Sequence, residues 1–292
     1  MNNGKGETDM VIDTHIRPAL FAPICQDKQA FSKRCDEMNY HLMGPAPIDL
    51  LKKQYALADI SHVFLLPEDC SAETGTASIS NEDVVKIVEC DPEFFWGFAS
   101  VDPRKEDAAQ ALLAAFTQQG LVGLYINTAR LHMYPDDPSL IALYEVCKEL
   151  DKPIVFQAGL CLERDALAKY CRPADFEPVI HAYPTVNMCL AHVGWPWVQE
   201  TAALMIKYPN LYANTALMNF DGPYQIYRKV FLEDMGQYWV EHNLADQLMY
   251  GSDSPRIRPV RAKRGLDSLG FSKETMDKIC WRNALRFLKR EG

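Results

Sequence analysis

The sequence predicts an α/β protein, a single-domain closed (β/α)8 barrel, and three observations favour that fold. Eight short apolar runs are spread along the 292 residues, and a longer amphipathic segment follows each of them. Continuous apolar strands that alternate with helices are typical of a parallel sheet covered on both faces. Eight such units in a chain of this length favour a closed barrel over an open sheet. No linker or shift in composition divides the chain.

The eight apolar runs are the predicted strands, and a polar or small residue ends each of them. They occupy residues 10–15, 62–66, 95–101, 121–126, 153–157, 186–192, 211–215 and 248–252. Helix starts are also visible between them. Asp137, followed by proline, predicts an N-cap, and Asp102, also followed by proline, predicts another before the helix after the third strand. Ser80 with Asp83 predicts a capping box.

The predicted domain organisation is simple. Residues 1–9 are polar and are expected to form a flexible N-terminus, and residues 10–292 form the barrel. Two segments, 16–46 after the first strand and 217–243 after the seventh, are longer than a minimal barrel needs. Because loops after barrel strands lie at the catalytic face, both are candidate lids or pocket walls.

Composition excludes several classes of protein. Apolar residues make up 48% and charged residues 24%, which are globular proportions. The net charge is -9 and positive residues do not cluster, so neither nucleic acid nor a membrane is an expected partner. With no long apolar run or signal peptide, we expect a cytoplasmic protein, and a homo-oligomer stays open. Nine scattered cysteines predict reduced thiols rather than disulfides or a zinc site.

Polar side chains stand at the ends of four predicted strands. His15 and Arg17 lie at the end of the first strand, Gln157 at the fifth, His192 at the sixth and Asp253 after the eighth. In a barrel these strand ends meet at one mouth, and their spacing agrees with whole βα units. A single histidine in such a place is more often structural. Four strand ends with polar residues at the same level predict a functional site.

Five motifs resemble those of a known family. They are VIDTHIRP at residues 11–18, PIVFQAG at 153–159, LAHVGWP at 190–196, YGSDSP at 250–255 and WRNALRFL at 281–288. In this order the motifs resemble those of the amidohydrolase superfamily. More narrowly, they resemble the amidohydrolase-related branch that contains aminocarboxymuconate-semialdehyde decarboxylase, hydroxybenzoate-type decarboxylases and pyrone-dicarboxylate lactonase. The resemblance implies a TIM barrel whose active site lies at the mouth.

The resemblance also implies a set of metal ligands, of which this chain keeps only a part. The family pattern has His-x-His on the first strand, a His on the fifth and on the sixth, and an Asp on the eighth. Arg17 replaces the second of these histidines and Gln157 replaces the fifth-strand histidine. A cation donates no lone pair and repels an ion. We therefore expect no metal and no other cofactor. The alternative is one divalent ion, Zn or Mn, on His15 and Asp253.

These departures from the pattern favour hydrolysis as the reaction. The related lactonase is known as an enzyme that works without metal and uses its strand-eight Asp to activate water. The resemblance therefore implies a metal-independent hydrolase of a small carboxylated lactone or ester. In it, Asp253 would deprotonate water, and His192 and His15 would orient or polarise the scissile carbonyl.

The predicted substrate-binding residues lie at the same mouth. A guanidinium presents paired donors to a carboxylate, so Arg17 is expected to bind an acid group and Gln157 another substrate oxygen. Arg130 and Arg256 follow the fourth and eighth strands and are candidates for a second anionic group. The alternative for Arg17 is a structural ion pair, and for Arg130 and Arg256 it is a solvated surface position.

Two other functions stay open. The first is a metal-dependent decarboxylase of an aromatic or muconate-like acid, which keeps the lyase chemistry of the family. The second is a barrel that binds a small acid without turnover, since the loss of two ligands is what degeneration of a site produces. The metal content of protein purified without added metal separates the hydrolase from the decarboxylase.

Overall fold

The computed structural model describes residues 10–40, 44–75, 77–216 and 222–290, and these form the predicted barrel. The predicted flexible segment 1–9 lies outside the described residues, as do residues 41–43 and 217–221 of the two long loops. Eight strands run through the described part of the chain. They are β1 (Val11–Ile16), β2 (Ile60–Leu65), β3 (Phe95–Gly97), β4 (Leu124–Ile126), β5 (Ile154–Phe156), β6 (Met188–Leu190), β7 (Leu211–Asn214) and β8 (Leu248–Met249).

The strands pair in sequence order, and every pair is parallel. Continuous ladders join β1 to β3 and β4 to β8. Single bridges complete the ring, because Ala99 pairs with Leu124 just after β3, and Ile16 pairs with Ser254 beyond β8. The backbone N–H of Arg17 also donates to the Ser254 carbonyl at 2.9 Å. The carboxyl ends of all eight strands therefore surround one mouth.

Helices and shorter helical turns cover the outside of the barrel. The α-helices of the described residues are α1 (Lys28–Glu37), α2 (Ile48–Ala56), α3 (Ser71–Thr74), α4 (Asn81–Val88), α5 (Ala108–Thr117), α6 (Thr128–Leu131), α7 (Pro138–Glu149), α8 (Glu177–Ala182), α9 (Val198–Lys207), α10 (Pro223–Tyr227), α11 (Gln237–Trp239), α12 (Pro259–Asp267), α13 (Lys273–Asp277) and α14 (Asn283–Phe287). Turns of 3-10 helix span Pro18–Leu20, Ala22–Ile24, Ala168–Tyr170, Pro173–Phe176 and Ala191–Gly194. Stretches of π-helix span Arg228–Asp234, Val240–Leu244 and Lys278–Arg282. The segments predicted as long loops thus contain α1, α10 and α11.

The sequence located two of three helix starts correctly. Asp137 caps α7 through its side chain, and Ser80 and Asp83 form the capping box of α4. The predicted cap at Asp102 is wrong. Its carboxylate accepts hydrogen bonds from the side chain of Arg104 instead, and α5 begins only later in the chain.

Side chains fill the inside of the barrel below the mouth. Each strand, or in the case of β3 the residue that follows it, contributes one buried side chain to this inner cluster: Ile12, Phe64, Phe98, Tyr125, Val155, Cys189, Tyr212 and Met249. A larger apolar layer packs the strands against the helices. All nine cysteines are free thiols, as the sequence predicts. Within the described ranges, no helix is both long and apolar enough to cross a bilayer.

Candidate active site

Three strand ends bring together side chains able to bind a metal ion. His15 lies on β1, His192 in the turn after β6 and Asp253 shortly after β8. One ligand atom from each lies within 4.8 Å of the others, and the three residues are at most 4% exposed. Nε2 of His15 is 3.7 Å from Oδ1 of Asp253, and the two histidine rings are centred 4.6 Å apart.

The turns that carry His192 and Asp253 have a strained backbone. The φ angles of His192, Val193 and Asp253 are 58°, 46° and 64°, in the left-handed region. This conformation costs a non-glycine residue about 1–3 kcal/mol, and it is least expected for a β-branched side chain. Asn214, at the end of β7, helps to hold the first turn, since its Oδ1 accepts from the His192 amide at 3.0 Å. Such strain is typical of sites whose side chains need a fixed direction.

Hydrogen bonds determine which nitrogen of His192 is available. Nδ1 donates to the Ala216 carbonyl at 2.5 Å, and burial lowers the pKa of His192, so the neutral ring has its lone pair on Nε2. This Nε2 lies 3.2 Å from Oε1 of Gln157, which accepts from the Tyr125 hydroxyl at 3.3 Å. The amide nitrogen of Gln157 donates to the Leu160 carbonyl at 3.1 Å. Two acceptor atoms therefore face each other, and a bound cation satisfies both.

The other two members of the cluster also suit a cation. Burial and the neighbouring cationic groups lower the pKa of His15 well below its usual value, so its ring is neutral. Burial raises the pKa of Asp253, and its Oδ2 receives no hydrogen bond from the described residues. A divalent ion at this cluster would favour the ionised form of the Asp253 carboxylate. Two imidazoles and one carboxylate are a donor set that catalytic metal sites use.

The terminal nitrogens of Arg17 contact anionic and polar neighbours. It is 1% exposed and donates to Glu68 and to the Tyr125 hydroxyl, both at 2.6 Å. Its Nη1 is also 3.5 Å from Oε1 of Glu163. Two carboxylates thus neutralise the charge that the sequence suggested would repel an ion. The place of Arg17 as a substrate-binding residue stays a prediction.

Glu68 links Arg17 to Arg130 inside the molecule. Arg130 forms an ion pair with Glu68 and donates to Ser78 at 2.9 Å, and Asn127 donates to Glu68 at 2.8 Å. Burial alone would raise the pKa of Glu68, but the charges of the two arginines outweigh it and lower that pKa to about 2. Arg130 is therefore buried rather than solvated, and its role in substrate binding stays a prediction.

Arg256 connects the site to the first long loop. Its Nε is 3.5 Å from Oδ2 of Asp253, and its Nη2 is 3.7 Å from Oε1 of Glu163. It donates to the Met38 carbonyl at 3.2 Å and lies over the ring of Tyr40 at 4.8 Å. Among the predicted substrate-binding arginines, Arg256 directly contacts the metal-ligand cluster.

Sequence reasoning missed four residues of this arrangement. Glu68 follows the end of β2 and could have been found by the strand-end rule that located the others. Tyr125 and Asn214 lie within apolar strands, where a polar group is read as part of the wall. Glu163 lies in the segment after β5, which has no motif or periodicity, so no local signal identifies it.

Comparison with known proteins places this barrel in a family. The sequence model of the family described as "Amidohydrolase" matches residues 12–290. The chain belongs to the amidohydrolase family. A curated relative of this amidohydrolase is 2-amino-3-carboxymuconate-6-semialdehyde decarboxylase of Dictyostelium discoideum. It is 22% identical over 246 residues, which cover 73% of this chain and 66% of the relative.

Solved structures share the fold of this amidohydrolase at low identity. A TIM-barrel protein of Bordetella bronchiseptica has a TM-score of 0.75 and 22% identity, with 96% of this chain and 99% of that chain covered. A dihydroxybenzoic acid decarboxylase of Polaromonas, solved with manganese and the inhibitor 2-nitroresorcinol, has a TM-score of 0.63 and 17% identity, with 96% of each chain covered. These likenesses show the TIM-barrel fold.

These findings correct two predictions from the sequence. The expectation of no metal and no cofactor is wrong, because a structural relative holds manganese and His15, His192 and Asp253 form a cluster able to bind an ion. The expectation of a metal-independent lactone or ester hydrolase is also wrong, since the Dictyostelium relative and the Polaromonas structure are decarboxylases. Both expectations rested on Arg17 and Gln157 at positions where the family pattern has histidines. The family and the relatives support an enzyme.

Proposed function

We propose that this amidohydrolase is a metal-dependent decarboxylase of a small aromatic or muconate-like acid. The observation that carries the proposal is the buried cluster of His15, His192 and Asp253, whose ligand atoms lie within 4.8 Å of one another. The named relatives act on an acid of each kind, a dihydroxybenzoic acid and a carboxymuconate semialdehyde. The expected partner is therefore a small carboxylated molecule.

His15, His192 and Asp253 would hold the ion, with Oε1 of Gln157 beside it. A divalent ion such as Mn²⁺ or Zn²⁺ would supply positive charge that binds substrate oxygens and stabilises the negative charge formed as CO₂ leaves. The chain supplies the orientation of these donors. The Ala216 carbonyl fixes the His192 ring through Nδ1, which directs Nε2 into the site.

Decarboxylation breaks one carbon–carbon bond and leaves an electron pair on the substrate carbon, which must then take a proton. Asp253, which would bind the ion as a carboxylate, is our candidate for passing that proton through Oδ2, because this oxygen has no hydrogen-bond donor in the described residues. Arg256, 3.5 Å from the same oxygen, is placed to bind an acid group beside it. The low exposure of the cluster keeps water away from the forming carbanion.

The proposal is tested by measuring CO₂ release from 2,6-dihydroxybenzoate and from 2-amino-3-carboxymuconate-6-semialdehyde. Protein loaded with Mn²⁺ or Zn²⁺ should release CO₂ from at least one of them, and a chelator should stop the reaction until metal is restored. Asp253→Asn should lower turnover by ~10² or more, because it removes both an ion ligand and the proton carrier. His181→Ala, on the exposed surface of α8, is the matched control. Metal-loaded, folded protein that releases CO₂ from neither acid class would contradict the proposal.

A further inference from the structure

One carboxylate in the site has no part in the proposed reaction. Nη1 of Arg17 and Nη2 of Arg256 approach the same oxygen of Glu163, Oε1, at 3.5 and 3.7 Å. The other oxygen, Oε2, accepts a hydrogen bond from the Cys161 thiol at 2.7 Å. The side chain of Glu163 is only 6% exposed. Two guanidinium groups that converge on one buried oxygen form a binding place for a carboxylate.

The arginines hold Glu163 more loosely than they hold Glu68. Arg17 donates to Glu68 at 2.6 Å, a hydrogen-bond distance, whereas the two distances to Glu163 exceed the normal N–H···O range. The buried Nε of Arg17 has no hydrogen-bond partner in the part of the chain that the structure describes. Arg17 therefore keeps donor capacity that Glu163 does not use.

Glu163 is the carboxylate that Arg17 and Arg256 share. If Glu163 moves away, Arg17 keeps its ion pair with Glu68 and Arg256 keeps the one with Asp253, but both lose the shared carboxylate. Loss of a partner from a largely buried ion-pair network is costly. An incoming carboxylate is therefore the ligand that replaces Glu163.

We infer that Glu163 is an internal substitute for the second carboxylate of a dicarboxylic substrate, which displaces it from Arg17 and Arg256 on binding. The inference rests on the proposed function, and it places the first carboxylate, which is lost as CO₂, at the metal ligands. A monocarboxylic acid leaves Glu163 in place. A dicarboxylic acid occupies both positions, and its apparent affinity is reduced by the fraction of molecules in which Glu163 blocks the arginines.

Calorimetric titration of the Mn²⁺-loaded protein tests this inference with two acids, isophthalate and benzoate. Glu163→Gln keeps the size of the side chain and removes its charge, so it should bind isophthalate about tenfold more tightly than the wild type. Its affinity for benzoate should change by less than about twofold, because the single carboxylate binds at the metal. Glu200→Gln, which removes a carboxylate paired with Arg172 on the surface, should change neither affinity.

The outcomes separate this inference from the proposed function. Unchanged or weaker binding of isophthalate by Glu163→Gln would overturn the inference, because Glu163 would then not compete for the arginines. Equal gains for both acids would support displacement of Glu163 and count against a carboxylate at the metal. Glu163→Asp, whose shorter side chain draws back from the pair, should give an intermediate affinity. Adding Arg256→Met to Glu163→Gln should abolish the gain.

Discussion

Glu68 is the residue that keeps the buried arginines of the site paired. Its Oε2 forms an ion pair with Arg17 and its Oε1 forms one with Arg130. The side-chain amide of Asn127 donates a hydrogen bond to Oε2. Because all of these groups are buried, the carboxylate does not exchange them for water. Removal of one partner from a buried charge network leaves the others uncompensated. The stability of the mouth should therefore depend on the ionisation of Glu68.

Glu68→Gln should lower the free energy of unfolding by ~3–5 kcal/mol at pH 7, because two guanidinium groups lose their shared anion. The folded-state pKa of Glu68 is about 2, below its usual 4.5, so the carboxylate contributes stability above pH 4.5 and loses it as the pH falls toward 2. The difference in free energy of unfolding between the wild type and Glu68→Gln should therefore become smaller as the pH falls from 5 to 3. Urea unfolding at each pH measures it.

The control for Glu68 is the surface carboxylate Glu200, which pairs with Arg172. Glu200→Gln should cost less than ~1 kcal/mol, since solvent screens an exposed pair. If the loss of unfolding free energy caused by Glu68→Gln stayed constant from pH 7 to pH 3, the stability would not depend on an ionised Glu68 carboxylate.

At the scale of single residues, the sequence predicts which side chains lie together at the mouth better than it predicts their partners. His15, His192 and Asp253 could be identified because strand ends share one face of a barrel, a rule that needs no distances. The partner of Arg17 could not be chosen from the sequence, since Glu68 and Glu163 lie on other loops and compete with every acidic residue of the mouth. The error about the metal followed from that gap and from Gln157, which stands where the family pattern has a histidine.

At the scale of elements, Gly159 in the segment after β5 packs against the backbone of the turn after β6. Gly159 has φ of +71°, and a Cβ there would overlap the carbonyl oxygen of Trp195 and lie 2.6 Å from the carbonyl carbon of Gly194. The Leu160 amide, next to it, donates to the Trp195 carbonyl at 2.7 Å. This close approach supports the strained turn that presents His192.

Gly159→Ala should lower the free energy of unfolding by more than ~3 kcal/mol, because it adds a backbone clash to the cost of a positive φ. Gly270→Ala is a matched control, since Gly270 has nearly the same φ, +70°, and nothing lies within 4 Å of its Cβ position. It should cost only ~1 kcal/mol. Urea unfolding distinguishes the two variants, and similar losses would show that contact with the turn after β6 does not matter.

Elements with a local signal were predicted well. All eight strands were found, because each contains a short apolar stretch, although the structure makes several of them shorter. Asp102 shows where a local rule fails: it has the sequence of a helix cap, but a neighbouring arginine occupies its carboxylate. Which donors bind a carboxylate such as that of Asp102 depends on the folded structure, and the local sequence pattern does not contain that information.

For the whole molecule, metal binding and folding should be coupled. The proposed ligands come from β1, from the turn after β6 and from the residues after β8, so only the closed barrel assembles them. An ion that binds the folded state alone stabilises it by mass action, by ~2.7 kcal/mol at a concentration 100 times its Kd.

Addition of Mn²⁺ to metal-free protein should therefore raise Tm by roughly 5 °C, and a chelator should reverse the shift. His15→Ala and Asp253→Asn should lose most of this shift, and His181→Ala should keep it. Mg²⁺ at the same concentration should have little effect, because imidazole is a poor ligand for it. Differential scanning calorimetry measures these shifts. An equal rise in Asp253→Asn would show that the ion binds elsewhere.

The fold could be predicted as a whole because its signal is repeated eight times, so an error in one element does not change the result. The site lacks such repetition. The ion pairs of its three arginines depend on the packing of separate loops, and the departures at Arg17 and Gln157 led to the wrong predicted reaction.

The pairing of β1 with the residues after β8, which closes the barrel, has a consequence for biosynthesis. Thr14 bonds through its side chain to the Tyr250 carbonyl, 236 positions away, and the Asp253 amide donates to the His15 carbonyl at 3.1 Å. During translation β1 leaves the ribosomal exit tunnel long before β8 is synthesised. The nascent chain therefore carries an open sheet edge through most of translation. Chaperone binding to that edge should end only when Asp253 has left the exit tunnel.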